Sequence, residues 1–282
     1  MLTDNDLDTD QVDGEVATLL RGVRRLGVAF SGGVDSSVLL ALAVRALGPG
    51  SVVAILGVSP SLAGDERRSA HDVAAFIGAE VIEVVTHEGD RPAYVANGPD
   101  RCFHCKDELF ATISDQLLQE HRLDAVAYGE NADDAKRPDR PGARAATNHR
   151  VLRPLADAGW DKRTVRAIAT RLGLPSASKP AAPCLASRIP HYQAVTPIKL
   201  RQIEDAETSL RALGFSDLRV RHHGEIARIE LPPDELVTAV TEPMRSSIRE
   251  AMQSAGFRFA VVDLAGVQSG AFTLPLVQIN HG

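Results

Sequence analysis

Short apolar runs alternate with longer amphipathic segments through the first two-thirds of the chain. The strand-length runs cover residues 26–30, 52–58, 81–86 and 125–129, and helical patterns cover 37–47, 64–77, 106–120 and 161–172. Strands that alternate with helices at this spacing favour βαβ units with right-handed crossovers. The pattern therefore predicts an α/β fold with a doubly wound, mainly parallel sheet.

The pattern changes after a stretch rich in proline, serine and alanine at residues 175–190. The order that follows is helix, strand, strand, helix, strand, at 197–213, 218–223, 226–231, 242–255 and 257–264. The two middle strands meet at His223-Gly224-Glu225, which predicts a hairpin turn. We therefore expect two domains, the α/β domain over residues 1–188 and a small α+β domain over 189–282 that contributes to a binding cleft.

One loop stands at the first strand-to-helix turn, the place where nucleotide-binding α/β domains hold phosphate. It reads Ser31-Gly32-Gly33-Val34-Asp35-Ser36. Such a turn directs backbone N–H groups and the positive end of a helix dipole at an anion. A Walker loop would end in Gly-Lys-Ser/Thr, whereas this loop carries Asp35, and a carboxylate beside phosphate requires a divalent cation. The loop predicts Mg²⁺-bound ATP cleaved between its α and β phosphates; the alternative is a plain strand-to-helix turn.

Composition limits the partners and the compartment. The 282 residues carry a net charge of −6, which argues against a nucleic-acid binder that relies on an overall basic surface. The acidic first residues do not resemble a signal peptide, and no run approaches the roughly 20 apolar residues of a membrane span. We expect a cytoplasmic protein without membrane or nucleic-acid partners. Its three cysteines are then reduced and available for metal or catalysis.

The cysteines form a second chemical feature, Cys102-Phe103-His104-Cys105 and a distant Cys184. Two thiolates separated by two intervening residues can hold one metal centre, and a third can close it. Three cysteines on a [4Fe–4S] cluster would leave one iron open to an exogenous ligand such as sulfide.

Three other readings of the cysteines stay open. The pair can hold zinc with His104 or His149 as a fourth ligand. It can be a thioredoxin-like dithiol, although Cys102 follows a segment that reads as a loop. Cys184 can also act alone as a nucleophile whose pKa is lowered by Lys179, Arg188 or His191.

Together these motifs resemble those of the LarE family, ATP-dependent sulfur transferases of nickel-pincer nucleotide cofactor synthesis with a PP-loop (adenine nucleotide alpha hydrolase-like) domain. The resemblance runs through SGGVDS, RCFHCK, YGENADD, RPGARAA, KPAAPCLASRIP, RVRHHGEIARIE and GFRFAVVDLAG. It implies that the enzyme adenylates a carboxylate of pyridinium-3,5-biscarboxylic acid mononucleotide, releases pyrophosphate and forms a thiocarboxylate.

The family has two ways to supply sulfur. In one, a single cysteine at the PCLASR position gives up its sulfur and becomes dehydroalanine; in the other, three cysteines carry a [4Fe–4S] cluster that delivers added sulfide. A sacrificial enzyme needs one cysteine, which would leave Cys102 and Cys105 without a role. The sequence therefore favours the cluster, with Cys184 as a ligand. If the pair is a relic or binds zinc, Cys184 becomes the sulfur donor.

The resemblance also implies site residues. The loop from Ser31 to Ser36 would hold pyrophosphate, with Asp35 on Mg²⁺, while the end of the second strand, Gly57 to Ser59, would frame adenine. Acidic positions that match the family's active site are Glu130, taken with the ATP-binding residues, and Glu207 and Glu230, taken as metal or hydrogen-bond partners.

Arginines are the expected ligands of the substrate's phosphate and carboxylates, because a guanidinium pairs bidentately with oxyanions. Arg219 and Arg221 alternate along one predicted strand and so share a face. With Ser187 and Arg188 they are the candidate substrate-binding residues. The alternative is that Arg219, Arg221 and Glu230 form the solvated face of a hairpin.

Several further expectations accompany this interpretation. Residues 131–150 should form a long loop, of which 137–144 would cover the nucleotide as a lid. His222 and His223 should be turn and surface residues, because neighbours on a strand face opposite ways. A homo-oligomer is expected.

Three other classes of protein compete with the sulfur transferase. A PP-loop tRNA thiolation enzyme needs an RNA-binding surface, for which the chain has neither spare cysteines nor positive charge. An ammonia-dependent amidotransferase of the NAD or GMP synthetase type has no use for three cysteines. An ATP sensor would not require Cys184.

Overall fold

The computed structural model describes residues 9–136, 141–268 and 272. The chain divides into two compact units. The first comprises Met1–Ser59, Gly64–Glu88 and Cys102–Ala182, and the second Pro60–Ala63, Gly89–Arg101 and Pro183–Gly282. The domain boundary between residues 188 and 189 stays a prediction.

The described residues contain seven strands and thirteen α-helical segments. The strands are β1 (Leu26–Ala29), β2 (Val52–Val58), β3 (Glu80–Val85), β4 (Ala125–Tyr128), β5 (Arg219–His223), β6 (Ile226–Glu230) and β7 (Phe259–Val262). The helices are α1 (Thr9–Leu19), α2 (Val34–Leu47), α3 (Gly64–Ile77), α4 (Pro92–Val95), α5 (Arg101–Thr112), α6 (Leu118–Glu120), α7 (Ala132–Ala135), α8 (Pro141–Asn148), α9 (Pro154–Asp157), α10 (Lys162–Arg171), α11 (Pro197–Ala212), α12 (Leu236–Val240) and α13 (Met244–Ser254).

The first unit is built on a parallel sheet with the strand order β3-β2-β1-β4. The predicted α/β class with a mainly parallel sheet is confirmed. The chain passes from β1 to β2 and β3 on one side and then crosses back to place β4 on the other side of β1, so the strand order reverses direction at β1. In doubly wound folds the carboxyl ends of strands at such a point form the ligand crevice. The SGGVDS loop follows β1 at this point.

Helix α2 is buried on nearly all sides, which explains its composition. Its residues from Val38 to Ala43 are at most 6% exposed, and the helix packs against α1, α3 and α10. A helix that is apolar all round is stable only inside a core. The loop at its amino end is therefore attached to a rigid element.

Two local predictions for this unit are wrong. Helix α5 begins at Arg101, so the CxxC pair lies on a helix instead of in a preceding loop. The predicted loop at 131–150 contains α7 and α8, the second of which begins at a proline, a residue that suits the first helical position. Of the proposed lid, residues 137–140 lie outside the described residues, and residues 141–144 belong to α8.

The second unit contains a three-stranded sheet with the order β5-β6-β7. Strands β5 and β6 are antiparallel and β6 and β7 are parallel. The predicted order of helices and strands is confirmed, with α12 as an added short helix. Its core includes Leu210, Val220, Ile229 and Met252, which lie in α11, the two hairpin strands and α13. Gly224 has a φ of +67° at the hairpin turn, a conformation that glycine adopts without strain.

His222 contradicts the prediction of two surface histidines. It is 3% exposed, its Nε2 lies 3.1 Å from Gln202 Oε1, and its ring packs edge-on against Phe257. Burial, reinforced by the charge of Lys199, lowers the pKa of His222 below its usual value. The folded state therefore favours the neutral form of the His222 ring.

We expect the free energy of unfolding to decrease as the pH falls below about 6.5, because the unfolded chain then binds a proton that folded His222 resists. His223 contributes in the same direction, since burial lowers its pKa as well. Urea unfolding across this pH range should show a weaker pH dependence in His222→Gln than in the wild type. An unchanged slope in His222→Gln would contradict the assignment.

Candidate functional site

The SGGVDS loop is braced by its own serines. Ser36 Oγ donates to the carbonyl of Gly33 at 3.0 Å, and Ser37 Oγ donates to the same oxygen at 2.8 Å. The backbone N–H of Ser31 donates to Ser36 Oγ at 3.3 Å. Because α2 begins at Val34, the backbone N–H groups of the loop and the amino end of this buried helix lie at the same place. This is the arrangement that binds phosphate in many α/β folds.

Two glycines are required by close backbone approaches. Gly32 has a φ of +69°, and a Cβ there would lie 2.8 Å from the Cα of Ala70 in α3. A Cβ on Gly129, directly after β4, would lie 2.6 Å from the backbone nitrogen of Ser36. The loop is therefore enclosed by backbone from α3 and from the end of β4.

Asp35 is paired with a lysine that the sequence analysis did not identify. Its Oδ2 lies 2.5 Å from Lys162 Nζ, and its Oδ1 accepts a hydrogen bond of 3.3 Å from Asn131. Lys162 is the first residue of α10, and its side chain is 41% exposed. The Asp161 carboxylate caps this helix by accepting the backbone N–H of Thr164, and this hydrogen bond lowers the pKa of Asp161. A cation thus lies beside a loop that lacks the Walker lysine.

Glu130 follows β4 on the same side of the sheet as the loop. It is 3% exposed, and its Oε2 accepts no hydrogen bond from the described residues, although Arg153 Nη1 lies 3.7 Å away. A buried carboxylate oxygen without a hydrogen bond is unfavourable, so a ligand that supplies a cation or a donor would stabilise it. Hard oxygen donors such as Asp35 and Glu130 have the chemistry that Mg²⁺ prefers.

The predicted adenine-framing segment lies at the end of β2. Ser59 Oγ donates to Glu88 Oε1 at 2.5 Å, and Glu88 is 2% exposed. A Cβ on Gly57 would lie 3.0 Å from Leu109 Cδ1 of α5. The segment is thereby packed against the helix that carries Cys102 and Cys105.

The CxxC pair lies in the first turns of α5. Cys102 is exposed and Cys105 is partly exposed. Residues three apart on a helix share a face, so the two thiols can act on one ligand. His149, a candidate zinc ligand, contacts Asp107 at 2.9 Å. Among the residues that the structure describes, no group of three His, Cys, Asp or Glu side chains is placed to hold a metal ion.

Cys184 lies in the second unit, in the loop that precedes a 3₁₀ turn at Leu185–Arg188, and it is exposed. Arg188 is 4% exposed and pairs bidentately with Glu207, at 2.9 and 3.3 Å. Glu207 also accepts the backbone N–H of Val220 at 3.0 Å. Lys179, considered above as an activator of Cys184, forms an ion pair of 2.8 Å with Glu66.

Arg221 and Glu230 form a second buried pair, with contacts of 3.0 and 2.8 Å. The other edge of the Arg221 guanidinium donates to the carbonyls of Ser187 at 3.1 Å and Gln268 at 2.7 Å. Two of the candidate substrate-binding arginines, Arg188 and Arg221, are thus each paired with one of the acidic residues predicted for the site. Arg219 pairs with Asp217 at 2.8 Å and has a side chain 12% exposed, compared with 4% for Arg221. The substrate-binding roles stay predictions.

The parallel sheet and the glycine-serine loop at the turn after β1 define a PP-loop α/β domain, a class that uses ATP. The asparagine synthase family matches residues 9–121. An uncharacterized protein, slr1717, of Synechocystis sp. is 40% identical over 86% of this chain and 90% of its own length. The pyridinium-3,5-bisthiocarboxylic acid mononucleotide synthase of Lactiplantibacillus plantarum is 32% identical over 89% of this chain and 90% of its own length. The chain belongs to the LarE family and is an ATP-using sulfurtransferase.

A more distant similarity concerns the tRNA alternative. The tRNA-specific 2-thiouridylase MnmA of Sphingopyxis alaskensis is 31% identical over 60% of this chain and 53% of its own length. This partial match is consistent with a shared ATP-using domain. Within the described residues, no helix has the length and apolar character that crossing a membrane requires.

Proposed function

We propose that the chain adenylates a carboxylate of pyridinium-3,5-biscarboxylic acid mononucleotide, releases pyrophosphate and converts the acyl adenylate to a thiocarboxylate. The observation that carries the proposal is the pairing of Asp35 with Lys162 at a PP-loop, in a chain that also presents an exposed Cys184 on a fixed loop. The activity for which the relative from L. plantarum is named supports the class of substrate.

Adenylation brings two anions together. A carboxylate oxygen of the substrate attacks the α-phosphorus of ATP, the bond from that phosphorus to the bridging oxygen breaks, and pyrophosphate leaves with the electron pair. Repulsion is reduced by the backbone N–H groups in the first turn of α2 and by Lys162, and charge that develops on pyrophosphate is stabilised by the same donors. Asp35 and Glu130 would hold Mg²⁺, which supplies Lewis-acid stabilisation when bound.

In the second step sulfur attacks the acyl carbon and AMP leaves. We propose that Cys102, Cys105 and Cys184 hold a [4Fe–4S] cluster, which would supply the sulfide. Two observations support the donor set: the helical spacing of Cys102 and Cys105, and the exposure of Cys102 and Cys184. Among the described residues, no three His, Cys, Asp or Glu side chains are grouped so that they could hold a metal ion. The competing route is the one in which Cys184 gives up its own sulfur.

The anionic substrate requires cationic partners, and the two buried ion pairs restrict which arginines can serve. Arg188 and Arg221 are already bonded to carboxylates and carbonyls. Arg219 also pairs with a carboxylate, but that partner, Asp217, has a side chain 41% exposed instead of buried. We therefore propose Arg219, with the Ser187 hydroxyl, as the first contact of the mononucleotide phosphate. We also propose that the protein forms a homo-oligomer.

The proposed reaction predicts that purified protein, ATP, Mg²⁺, sulfide and this mononucleotide produce pyrophosphate together with a product in which sulfur replaces one oxygen. Pyrophosphate release and the product mass would be measured in the same sample. Parallel samples with tRNA or with ammonia in place of the mononucleotide and sulfide test the competing classes. Pyrophosphate release that requires tRNA or ammonia would contradict the proposal.

A further inference from the structure

Three buried arginines hold the backbone on both sides of Cys184. Four carbonyl oxygens between residues 183 and 187 accept guanidinium hydrogen bonds: those of Pro183 and Cys184 from Arg188, that of Ala186 from Arg101, and that of Ser187 from Arg221. The three arginine residues are at most 8% exposed. Cys184 itself is exposed, so the backbone on both sides of an exposed cysteine is held by buried hydrogen bonds.

Arg101 is not among the candidate site residues identified from the sequence. Its Nη1 donates to the carbonyl of Ala186 at 2.8 Å and to Asn97 Oδ1 at 2.7 Å. Asn97 is fully buried, and its Nδ2 donates to the carbonyls of Pro190, Gln193 and Ile189, at 2.8, 3.1 and 3.2 Å. The segment that ends at Arg101 therefore supports the loop from Ala186 to Gln193.

Burial of three guanidinium groups around one short loop requires an explanation. A buried cation is unfavourable by several kcal/mol unless its hydrogen bonds are made, and apolar residues can fill the same volume without that penalty. Two of the arginines are neutralised by Glu207 and Glu230. All three arginines donate to carbonyls of residues 183–187, the loop that carries the exposed Cys184. Preorganising a reactive group by buried hydrogen bonds is a use that matches this arrangement.

We propose that Arg101 is a positioning residue for Cys184. It acts through the Ala186 carbonyl and, with Arg188 and Arg221, keeps the Cys184 sulfur in one orientation. The inference rests on the proposed function, in which Cys184 holds or donates the transferred sulfur. It applies to both sulfur routes, because each requires the sulfur at a defined place. Arg101 also directly precedes Cys102 in the sequence.

The test compares Arg101→Met, Arg101→Lys and the matched control Arg166→Met. Arg166 also donates to two backbone carbonyls, those of Ala177 at 2.8 Å and Lys179 at 3.3 Å, and both of these acceptors precede residues 183–187 in the sequence. Hydrogen exchange should be measured for the hydrogen-bonded amides of Leu185, Ser187 and Ile189. Arg101→Met should speed exchange in this loop by about tenfold, with the hairpin of β5 and β6 unchanged. Arg101→Lys should restore part of the protection, and Arg166→Met should leave it intact.

The functional arm separates the two steps of the reaction with pyridinium-3,5-biscarboxylic acid mononucleotide. In Arg101→Met, pyrophosphate release should stay within about threefold of wild type, while single-turnover sulfur transfer should fall by about a hundred-fold. A purely structural role would lower both steps together and would overturn the inference, as would unchanged exchange of the loop. If wild type transfers no sulfur while the loop exchange responds to Arg101→Met, the proposed function fails and the positioning of the loop stands.

Discussion

Cys184→Ser is expected to lower ATP-dependent sulfur transfer by about a thousand-fold or more while leaving pyrophosphate release within about threefold. Serine matches cysteine in size, but its hydroxyl neither donates sulfur nor binds iron as a thiolate does. Because Cys184 is exposed, the free energy of unfolding should change by no more than about 0.5 kcal/mol. Product formation and pyrophosphate release would be measured in single-turnover experiments, with thermal unfolding as the control for the fold.

The same experiment distinguishes the two sulfur routes when Cys102→Ser is included. A cluster held by three thiols predicts that both variants lose the visible absorption of the reconstituted protein, and that wild type turns over repeatedly with added sulfide. The intact mass of wild type should then be unchanged after turnover. A sacrificial route predicts instead that Cys102→Ser transfers sulfur normally and that wild type loses one sulfur and two hydrogens at Cys184. Stoichiometric zinc in the purified protein would also contradict the cluster.

The parallel sheet can be predicted because each of its strands is a short apolar run bounded by turn residues. Burial of β2 from Val52 to Leu56 produces such a run, and helices on either side supply the alternating pattern. The phosphate loop is equally visible, since Gly32 and Gly129 are fixed by backbone contacts that permit no side chain. The strands and the phosphate loop can be predicted from short stretches of sequence because local backbone geometry determines both.

The partners of the site residues are harder to predict, because they come from distant parts of the chain. Lys162 lies 127 positions from Asp35, and nothing in the amphipathic pattern of α10 distinguishes its ammonium from that of a surface lysine. One signal was available: a phosphate loop without its own lysine has to obtain a cation elsewhere. Arg101 gave no comparable signal, because its role depends on an 85-residue separation from Ala186.

The arginines on β5 show how a correct pattern can mislead about a role. Arg219 and Arg221 do alternate, and the register pairs Arg219 with Glu230 and Arg221 with Arg228 across the hairpin. Alternation establishes that two side chains share a face, but it does not determine how far each is buried. The Gln268 carbonyl and the Phe272 ring, 5.4 Å from the Arg221 guanidinium, lie beyond the hairpin in sequence. They change the environment of Arg221 from a solvated face to an interior.

Asp35→Asn is expected to lower pyrophosphate release by about a hundred-fold or more, because in the proposed reaction this carboxylate holds the Mg²⁺ that stabilises the separating phosphates. Asparagine keeps the shape and can still contact Asn131, but it neither balances Lys162 nor binds Mg²⁺ as a carboxylate does. The concentration of Mg²⁺ needed for half-maximal release should rise. Both side chains of the Asp35–Lys162 pair are partly exposed, so unfolding should become easier by no more than about 1 kcal/mol.

Asp13→Asn provides the matched control for Asp35→Asn, since Asp13 pairs with Arg45 at the opposite end of the same helix α2. It removes an equivalent partly exposed ion pair from the same unit at a place with no phosphate loop. We therefore expect wild-type pyrophosphate release and a wild-type Mg²⁺ requirement. Wild-type pyrophosphate release in both variants would remove the metal role of Asp35. The same reduction of release in both variants would show that the helix, and not the carboxylate beside the loop, limits the reaction.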